Sequence, residues 1–465
     1  MYTSIKRKSN IYLPQELEEI LLALKNIGAR PILVGGCIRD HFLNIPIKDY
    51  DIEVFHIENF EVLESTLSHF GKVQCVGKSF GVVKLLTLSH EYDFALPRRE
   101  KKVAKGHQGF DVTTHSSLSF EQAAIRRDFT MNAIGYDYFE DTFLDPFNGK
   151  ESIKNAQIKH IHDDTFMEDP LRIYRAISFA SRFDFSLHPS TFNLCQKMTQ
   201  SGVLEELATE RIFEEFKKFL LKGNKPSIAF ELILNLGILK AYPELESLVG
   251  CEQDEEYHPE GDVWVHTLMC LDEMAKLRGD DNKENIMLML AVLCHDLGKP
   301  LCTKVIKGRI TSHKHEALGE EPTKLFLQRL TNDKKLIESI IPLVKYHLSP
   351  FQLYLQNSSQ KAVKRLSTKV NIEQLCKVAL ADCLGRTIPD KQKCHKAIEW
   401  LKNEANQLNI STQSLQPLIQ GKDLIALGFR PSKLFKEILN FAFDVQIEQD
   451  LSKEQILEKI KEKYQ

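Results

Sequence analysis

In the first third of the chain, apolar positions alternate between helical spacing and short strand-like runs. Residues 16–27 carry apolar side chains at helical spacing, and residues 31–34 form a short apolar run that predicts a buried strand. The same pattern predicts a short helix ending at 42–43, a helix at 61–70, strands at 50–55, 73–76, 82–88 and 92–95, and a hairpin at 133–138 and 142–145. Helices and strands are therefore mixed over residues 1–145, as in an α/β pattern.

From about Asp145 onward the apolar spacing is helical. Ten segments fit it: 169–183, 205–221, 227–236, 263–277, 285–296, 316–330, 336–346, 361–367, 372–383 and 395–405. A polar stretch with Pro and Gly, Asp254–Asp262, predicts a domain boundary. We expect a helical region over 146–253, a further domain over 254–400 and a helical C-terminal tail over 401–465, whose last segment, 450–465, is charged.

Composition limits the class of protein. A chain of 465 residues with 43% hydrophobic and 27% charged residues is typical of about three globular domains. Lys and Arg number 61 against 64 Asp and Glu, so the net charge is −3. No overall positive charge indicates a nucleic-acid partner, and any such partner must bind a local basic patch.

The ten cysteines form no Cys-x-x-Cys pair, and many lie in apolar runs. This pattern predicts buried thiols in a reducing cytosol. Residues 1–13 lack the apolar stretch of a signal peptide, and the longest strongly apolar run, Ile286–Cys294, is too short to span a bilayer. We expect a cytoplasmic protein without a membrane partner.

Two carboxylates, Asp49 and Asp51, lie two residues apart at a predicted strand and so point to the same face. Neighbouring carboxylates repel unless cations lie between them, and Mg²⁺ prefers oxygen ligands. Upstream, Gly35 and Gly36 let backbone amides approach a triphosphate, and Arg39 would neutralise its charge. An isolated Asp-x-Asp is more often a solvated strand end, but the neighbouring glycines and arginine favour a two-metal phosphoryl-transfer site.

This stretch resembles the head of the bacterial tRNA nucleotidyltransferase and poly(A) polymerase family, within the polymerase-beta-like nucleotidyltransferases. The resemblance continues in the family's order through residues 126–133, 145–147, 168–172 and 210–213. It implies that Asp49 and Asp51 hold Mg²⁺ and carry the catalysis. It implies nucleotide contacts from Gly35, Gly36, Arg39, Arg126, Arg127, Asp128, Asn132, Asp169, Arg172 and Arg175.

The types of Asp169 and Arg172 also suit base selection on physical grounds. The two residues are three apart on a predicted helix and so share a face. The alternative to a base-selecting role is a plain surface ion pair between them. A carboxylate accepts from the exocyclic amine of cytosine or adenine, while a guanidinium donates to the adjacent ring acceptors. Guanine and uracil would instead place an acceptor against the carboxylate. Each group left without a hydrogen bond would then cost about 1–3 kcal/mol of binding free energy. This pair therefore favours C and A.

Two features of the head stay open at this point. The family's flexible loop, used to switch from adding C to adding A, corresponds to about Arg98–His115, which has the composition of a mobile polar loop. A disordered surface connection is the alternative. Asp93 is a candidate third carboxylate beside the metals, with Glu91 competing for that role.

A second constellation consists of His266, the pair His295-Asp296 after an apolar helix, and Asp382. Burying such a charge is costly without a cation. The arrangement resembles the HD phosphohydrolase family, whose metal ligands map to these four residues, with His313, His315 and His347 where second-metal or phosphate-binding groups often lie. Imidazole and carboxylate ligands suit Ni²⁺, Mn²⁺ or Co²⁺ better than Mg²⁺. A degenerate HD scaffold that only binds tRNA is the alternative.

Together the resemblances imply an α+β nucleotidyltransferase head with a polymerase-beta-like mixed sheet, followed by an all-α neck, an HD body and a tail. The implied activity is template-independent CCA addition to tRNA from CTP and ATP, with a phosphatase or 2′,3′-cyclic phosphodiesterase at the HD site. Lys78–Val82 is closer to CCA-adding members than to the rival poly(A) polymerases. A silent RNA-binding protein is the other rival. Basic residues at 217–225 and 361–369 are candidate tRNA contacts, and a monomer or homodimer is expected.

Overall fold

The computed structural model describes residues 11–75, 81–102, 110–114, 117–449 and 451–465. The chain forms two compact units, one of Met1–Asn224 with Ile228–Ile238 and one of Lys225–Ser227 with Leu239–Gln465. Positions 78–80 of the Lys78–Val82 comparison, and positions 103–109 and 115 of the predicted flexible loop, lie outside the described residues.

The first unit begins with an α+β region. Its strands are β1 (Arg30–Val34), β2 (Tyr50–Phe55), β3 (Lys72–Cys75), β4 (Val82–Leu86), β5 (Glu91–Ala95), β6 (Arg98–Lys102), β7 (Phe110–Thr114), β8 (Gly135–Asp137) and β9 (Thr142–Leu144). Its helices are α1 (Gln15–Asn26), α2 (Gly36–Phe42), α3 (Phe60–Leu67), α4 (Phe120–Ala124) and α5 (Gly149–Lys154). Seven of the strands form one sheet in the order β3-β4-β5-β2-β1-β8-β9.

The centre of this sheet is mixed and buried. β2 pairs antiparallel with β1 and parallel with β5, so the direction of pairing changes at β2. Four of the five residues of β1 are buried, which explains its continuous apolar run. Helix α1 packs Leu17, Ile20, Leu21 and Leu24 into the same core, following its helical spacing. The mixed sheet predicted from sequence is confirmed.

One expectation about the head is wrong. The polar stretch beginning at Arg98 was expected to be a loop, but β6 and β7 pair antiparallel as a separate two-stranded ribbon. The all-polar segment Arg98–Lys102 lacks the apolar alternation that predicts a strand, and Phe110–Thr114 has it only at Phe110 and Val112. Backbone hydrogen bonding between the two segments forms this ribbon, and a local pattern does not reveal such a pairing.

The rest of the first unit is mainly helical. Its elements are β10 (Gln157–Ile158), α6 (Asp163–Met167), α7 (Leu171–Phe183), β11 (Ser186–Leu187), α8 (Pro189–Gln200), α9 (Thr209–Lys222) and α10 (Pro226–Asn235), the first two residues of α10 belonging to the second unit. Helices α7 and α9 pack against each other, with Tyr174 of α7 against Phe216 of α9. Short 3₁₀ turns at 130–132, 203–206 and 238–241 connect other elements.

The second unit is almost wholly helical. Its elements are α11 (Pro243–Glu246), α12 (Val263–Lys276), α13 (Asn282–Cys294), α14 (Lys299–Cys302), β12 (Lys304–Ile306), β13 (Arg309–Thr311), α15 (His315–Leu318), α16 (Glu320–Leu330), α17 (Lys334–Tyr346), α18 (Ser349–Leu355), α19 (Gln360–Ser367), α20 (Ile372–Leu384), α21 (Gln392–Gln407), α22 (Gly421–Ala426), α23 (Lys433–Gln449) and α24 (Lys453–Tyr464). α12, α13, α17 and α20 pack on one another. The last three helices surround a separate small core that includes Leu424, Ile438 and Ile456.

Helix α13 is the apolar centre of the second unit. Every residue from Asn285 to Cys294 is buried. Among the described residues, the stretch Asn282–Cys302 is the one long and apolar enough to cross a membrane by length and composition, but 83% of its apolar window is buried inside the protein. Burial on all sides explains its uniform hydrophobicity as that of a core helix.

Candidate functional sites

The two predicted carboxylates of the first unit lie at the start of β2. Asp49 directly precedes the strand and is exposed, while Asp51 is its second residue. The parallel register sets Asp51 opposite Asp93 of β5, whereas Glu91 forms an ion pair with Lys84. The carboxylate Oδ1 of Asp93 is buried without a hydrogen-bond partner, and the Lys84 ammonium approaches it only to 3.7 Å.

Electrostatics show that this carboxylate group suits a cation. Burial raises the pKa of Asp51, the nearby Asp93, Asp49 and Glu53 raise it further, and Arg127 opposes them. Carboxylates that destabilise each other's charge are stabilised by a hard divalent cation with oxygen ligands. Asp49, Asp51 and Asp93 therefore fit Mg²⁺.

The turn between β1 and α2 lies against the same carboxylates. Gly35 has φ +74°, and a Cβ there would lie 3.2 Å from Nη1 of Arg127 and 3.3 Å from Oδ2 of Asp51. A side chain at this position would thus be strained and would also crowd both groups. Gly36 begins α2, and a Cβ there would lie 3.5 Å from Nη2 of Arg39. The two glycines keep this surface open to backbone approach.

Four predicted nucleotide contacts form one buried network. Arg39 donates through Nη1 to Oδ1 of Asn132 (2.9 Å), and Nδ2 of Asn132 donates to Oδ1 of Asp128 (2.9 Å). Nε of Arg175 donates to Oδ2 of Asp128 (2.8 Å), and Asp40 also accepts from Arg39 at 2.6 Å. Burial would raise the pKa of Asp128, but Arg175 and Asn132 outweigh burial and hold that pKa below its ordinary value. The network fixes both guanidinium groups in position.

Arg126 and Arg127 share a partner that sequence reasoning missed. Glu53 of β2, whose side chain is only 1% exposed, pairs with Arg126 and lies 3.6 Å from Nη2 of Arg127. Burial would raise the pKa of Glu53, but Arg127 and Arg126 outweigh it and lower that pKa. The signal was present in the sequence, because positions 49, 51 and 53 share one face of the strand.

Asp169 and Arg172, the predicted base-selecting pair, do not lie on one helix as expected. Helix α7 begins at Leu171, and Asp169 lies in the preceding turn because Pro170 disfavours helical backbone in the residue before it. Oδ1 of Asp169 accepts from the Leu171 amide (3.1 Å) and lies 3.9 Å from Nη2 of Arg211 on α9. Arg172 donates to two backbone carbonyls, those of Thr165 (2.6 Å) and Arg126 (2.7 Å). The backbone amide of Arg172 donates to the carbonyl of Asp169 (3.0 Å), so the turn keeps the two residues adjacent.

A basic cavity of about 200 Å³ lies between α7 and α9. It is lined by Arg39, Arg175, Ser178, Phe179, Arg182, Glu215, Lys218 and Lys222. Two lysines of the predicted basic group, Lys218 and Lys222, thus face the same cavity as two predicted nucleotide contacts. Lys218 is in an ion pair with Glu215 (2.7 Å), and predicted basic residues outside the cavity are paired too, as Lys217 is with Glu214 and Arg365 is with Glu448.

The four predicted HD residues meet in the second unit. His266 of α12 and Asp382 of α20 lie 3.2 Å apart (Nε2 to Oδ1), and Nε2 of His295 lies 3.3 Å from Nε2 of His266. Oδ2 of Asp296 lies 3.1 Å from Nε2 of His295. All four side chains are at most 2% exposed. Cys270, one turn after His266, belongs to the same group of possible ligands and was not expected from sequence.

Two further imidazoles extend the cluster. Nε2 of His315 lies 3.3 Å from Oδ1 of Asp296 and 3.4 Å from Nε2 of His347. His313, by contrast, is exposed and lines the adjoining cavity. The structure therefore brings together Asp296, His315 and His347 as a second set of three possible ligands.

Hydrogen bonding fixes which ring nitrogens face the centre. Nδ1 lies 2.7 Å from the Val292 carbonyl in His295, 2.7 Å from the Ser312 carbonyl in His315 and 2.6 Å from the Val344 carbonyl in His347. A carbonyl only accepts, so Nδ1 carries a proton, and Nε2 is the nitrogen that faces the centre and presents a lone pair when the ring is neutral. The two neutral rings of His315 and His347, with Nε2 atoms 3.4 Å apart, repel each other unless a proton or a metal ion lies between them. The donor set of imidazole and carboxylate suits a transition metal.

The cluster opens into a cavity of about 370 Å³. Cationic side chains border it: Nζ of Lys299 lies 2.7 Å from Oδ2 of Asp296, and Nη2 of Arg386 lies 3.1 Å from Oδ1 of Asp382. Lys314 also lines it. A cavity with cations around a metal-ligand cluster has the size and charge to hold a phosphate ester.

The expectation about the cysteines is wrong for one pair. Cys383 of α20 and Cys394 of α21 form a disulfide. The two are eleven residues apart, and the turn between α20 and α21 brings their Cα atoms to 5.8 Å, a proximity that sequence spacing does not reveal. Cys37, Cys195, Cys270, Cys294 and Cys376 are buried thiols, as expected.

Three family models match the chain. A poly(A) polymerase head domain matches residues 32–159, a probable RNA and SrmB-binding site of polymerase A matches 184–248, and an HD domain matches 263–387. The first match contains Asp49 and Asp51 and the third contains the four predicted HD residues, whereas Asp169, Arg172 and Arg175 lie between the first and second matches.

Two curated relatives match most of the chain. The multifunctional CCA protein of Mannheimia succiniciproducens is 36% identical over 369 residues, covering 76% of this chain and 84% of that protein. The multifunctional CCA protein of Neisseria meningitidis serogroup A is 32% identical over 398 residues, covering 84% of this chain and 91% of that protein.

Solved structures share the fold. The Bacillus stearothermophilus CCA-adding enzyme in complex with CTP aligns with a TM-score of 0.67 and 23% identity, over 96% of each chain. The Thermotoga maritima CCA-adding enzyme complexed with tRNA-CCA aligns with a TM-score of 0.61 and 21% identity, over 98% of this chain and 97% of that one. This likeness confirms the predicted α+β head followed by helical regions.

Proposed function

The chain belongs to the family of multifunctional CCA proteins, and we propose that it adds CCA to tRNA 3′ ends from CTP and ATP while its HD domain hydrolyses phosphate esters. The observation that supports the transferase most strongly is the position of Asp51, which lies opposite Asp93 on the neighbouring strand, two residues after Asp49 and beside Gly35. Burial raises the pKa of Asp51, and Asp93 and Asp49 raise it further, as expected of a ligand that a cation stabilises.

In this proposal Asp49 and Asp51 hold Mg²⁺, with Asp93 as a further oxygen ligand. Bound Mg²⁺ would supply charge stabilisation for the attacking and leaving oxygens when the tRNA 3′-hydroxyl displaces pyrophosphate from the α-phosphorus. Gly35 and Gly36 admit the triphosphate close to the backbone, and Arg39 contributes positive charge. The hydrogen bonds through Asn132 and Asp128 fix the orientation of the Arg39 guanidinium.

Base selection falls to Asp169 and Arg172. The carbonyls of Thr165 and Arg126 hold the Arg172 guanidinium from one side, which limits the directions in which its donors reach a base. Asp169, next to it, accepts from the exocyclic amine of cytosine or adenine, so both nucleotides fit without a nucleic-acid template. Arg175 supports the site through Asp128 or by contact with the triphosphate.

The transferase is tested with the full chain, Mg²⁺, a tRNA transcript ending before CCA, and CTP and ATP supplied singly and together. Sequencing of the products should show CCA. Asp51→Asn should reduce incorporation by about 10³-fold or more, because it removes several kcal/mol of charge stabilisation. Glu58→Gln, an exposed carboxylate past the end of β2, is the matched control and should keep full activity.

Other outcomes favour the rivals. Long A tracts on arbitrary RNA would mean a poly(A) polymerase. Unchanged incorporation by Asp51→Asn would contradict the metal assignment, and no incorporation by the wild type would indicate an RNA-binding protein without transferase activity.

For the HD site we propose a metal-dependent phosphatase and 2′,3′-cyclic phosphodiesterase. Support comes from His266, His295, Asp296 and Asp382 around one centre, with inward lone pairs and a cation-lined cavity. Ni²⁺, Mn²⁺ or Co²⁺ fits these donors, and His315 and His347 with Asp296 provide for a second ion. The metal would supply Lewis-acid activation of water and of the phosphoryl oxygen.

His295→Ala should abolish hydrolysis of p-nitrophenyl phosphate and of a 2′,3′-cyclic nucleotide while CCA addition continues. If both activities survive, hydrolysis takes place elsewhere. A wild-type protein that binds metal without hydrolysing either substrate would indicate a scaffold that serves tRNA binding.

We propose tRNA as the partner, with Lys218 and Lys222 as phosphate contacts, and a cytoplasmic location, where tRNA matures. The domain limits at 145, 253 and 400 and the monomeric or homodimeric state stay predictions.

A further inference from the structure

A buried carboxylate outside the predicted ligand set touches two imidazoles at once. The side chain of Glu260 is 1% exposed, and its Oε1 lies 2.8 Å from Nδ1 of His266 and 2.9 Å from Nδ1 of His258. Its other oxygen, Oε2, accepts from the backbone amide of Thr387 at 3.2 Å. One side chain therefore connects the stretch before α12, the first predicted metal ligand and the segment after α20.

The contact with His266 decides which nitrogen faces the metal centre. A carboxylate only accepts, so Nδ1 of His266 carries a proton, and Nε2 is the ring nitrogen turned toward Asp382 and His295, where a neutral ring presents its lone pair to a metal ion. A carboxylate behind a ligating imidazole fixes the ring's orientation and raises its basicity as a ligand. In the other three imidazoles of the cluster a backbone carbonyl takes this place, so a side-chain substitution can remove this support only at His266.

The contact with His258 has a different consequence. His258 lines the cavity in front of the cluster, together with Lys299 and Arg386. Because its Nδ1 is bound to Glu260, its Nε2 is the nitrogen available to a bound phosphate ester. The two rings meet edge to face with centroids 4.7 Å apart, so Glu260 holds them as one unit.

We propose that Glu260 is a positioning residue that holds His266 for metal binding and His258 for substrate contact. This inference rests on the proposed hydrolase function for the role of His258, but its metal-binding half does not depend on catalysis. The substrate class is a phosphate ester, whose oxygens meet Lys299 and Arg386 while a neighbouring hydroxyl donates to Nε2 of His258.

The test uses the full-length protein stripped of metal and then titrated with Co²⁺ alone. Affinity is measured by competition with a chelator, and the visible absorption spectrum of bound Co²⁺ reports the ligand arrangement. Glu260→Gln should weaken Co²⁺ binding about 10–100-fold and alter the spectrum. The amide is isosteric, but it loses the charge and one of the two acceptors, and its NH₂ would face the donors of Thr387 or of the imidazoles.

Two comparison variants separate the two roles. His258→Ala should leave Co²⁺ affinity and spectrum within about twofold of the wild type, while kcat for p-nitrophenyl phosphate falls by at least tenfold. Glu255→Gln, an exposed carboxylate of the same stretch, should change neither. Glu260→Asp keeps the charge but is one methylene shorter, so it should weaken Co²⁺ as well. If Glu260→Gln does not fold, as judged by circular dichroism and CCA addition, Glu260→Asp is the variant used to test Co²⁺ binding.

Wild-type Co²⁺ affinity and spectrum in both Glu260 variants would overturn the proposal. If His258→Ala weakened Co²⁺ binding as much as Glu260→Gln does, the assignment of His258 to substrate contact rather than metal binding would be wrong. If the wild type hydrolyses no ester while Glu260→Gln still loses Co²⁺, the proposed hydrolase fails and the positioning of His266 stands.

Discussion

Replacing Glu53 with Gln should destabilise the first unit more than its small chemical change suggests. Glu53 is a central-strand residue of β2 with a side chain 1% exposed, and two guanidinium groups depend on it. The amide has nearly the same shape, so packing is preserved. What is removed is the negative charge opposite Arg126 and Arg127, whose side chains are 17% and 15% exposed.

The magnitude follows from burial. Breaking a buried ion pair by removing one partner costs about 3–5 kcal/mol, because an uncompensated charge stays buried. Partial exposure of both arginines lets water screen them, so we expect the lower end, about 3 kcal/mol. For a unit of this size, about 1 kcal/mol corresponds to about 2–4 °C, which gives a Tm lower by about 6–12 °C.

The assay is thermal and urea unfolding of the full chain, followed by circular dichroism, with nucleotide incorporation recorded to follow the first unit separately. Glu140→Gln, an exposed carboxylate in the turn after β8, is the matched control and should change the free energy of unfolding by less than about 0.5 kcal/mol. A Glu53→Gln protein with the Tm of the Glu140 variant would refute the argument, because it would mean that the arginines do not depend on Glu53.

Three further predictions concern other contacts. His315→Ala should reduce bound Co²⁺ or Mn²⁺ from two ions per chain to one, measured by elemental analysis, and an unchanged ratio would contradict a second ion at Asp296. Cys394→Ser should lower the free energy of unfolding by about 2–3 kcal/mol without reductant, as an eleven-residue loop implies; equal stability with and without dithiothreitol in the wild type would contradict the Cys383–Cys394 bond. Because the pKa of Asp128 is lowered, its contribution is complete above the ordinary carboxyl pKa of about 3.9 and is lost as pH falls through the folded-state pKa. The stability difference between the wild type and Asp128→Asn in urea should therefore shrink below about pH 4, and a constant difference down to pH 2 would contradict it.

Sequence alone predicted those elements whose pattern is local. The strand Tyr50–Phe55 has the predicted limits, and Val263–Lys276 differs from its prediction by one residue. Helical spacing and strand alternation depend on neighbours within a few positions, so they can be read without knowing the fold. The ordered motifs likewise indicated the family, which the comparisons confirmed.

Contacts between segments far apart in the chain could not be predicted from the sequence pattern. Asp93 lies opposite Asp51 only through the parallel register of β2 and β5, and the β6–β7 ribbon forms only because two polar segments pair. Helix α7 begins at Leu171, whereas the spacing predicts a start at residue 169, although Pro170 is itself a local signal for a helix start.

The sequence by itself determined the residue types at both candidate sites and the local elements that carry them. Only the tertiary structure decided their partners: Glu53 beneath the arginines, Glu260 behind His266, and His315 facing His347. The physical reason is that burial and charge pairing arise where segments far apart in the chain meet. A carboxylate that looks solvated in the sequence becomes an obligatory partner once the surrounding fold excludes water.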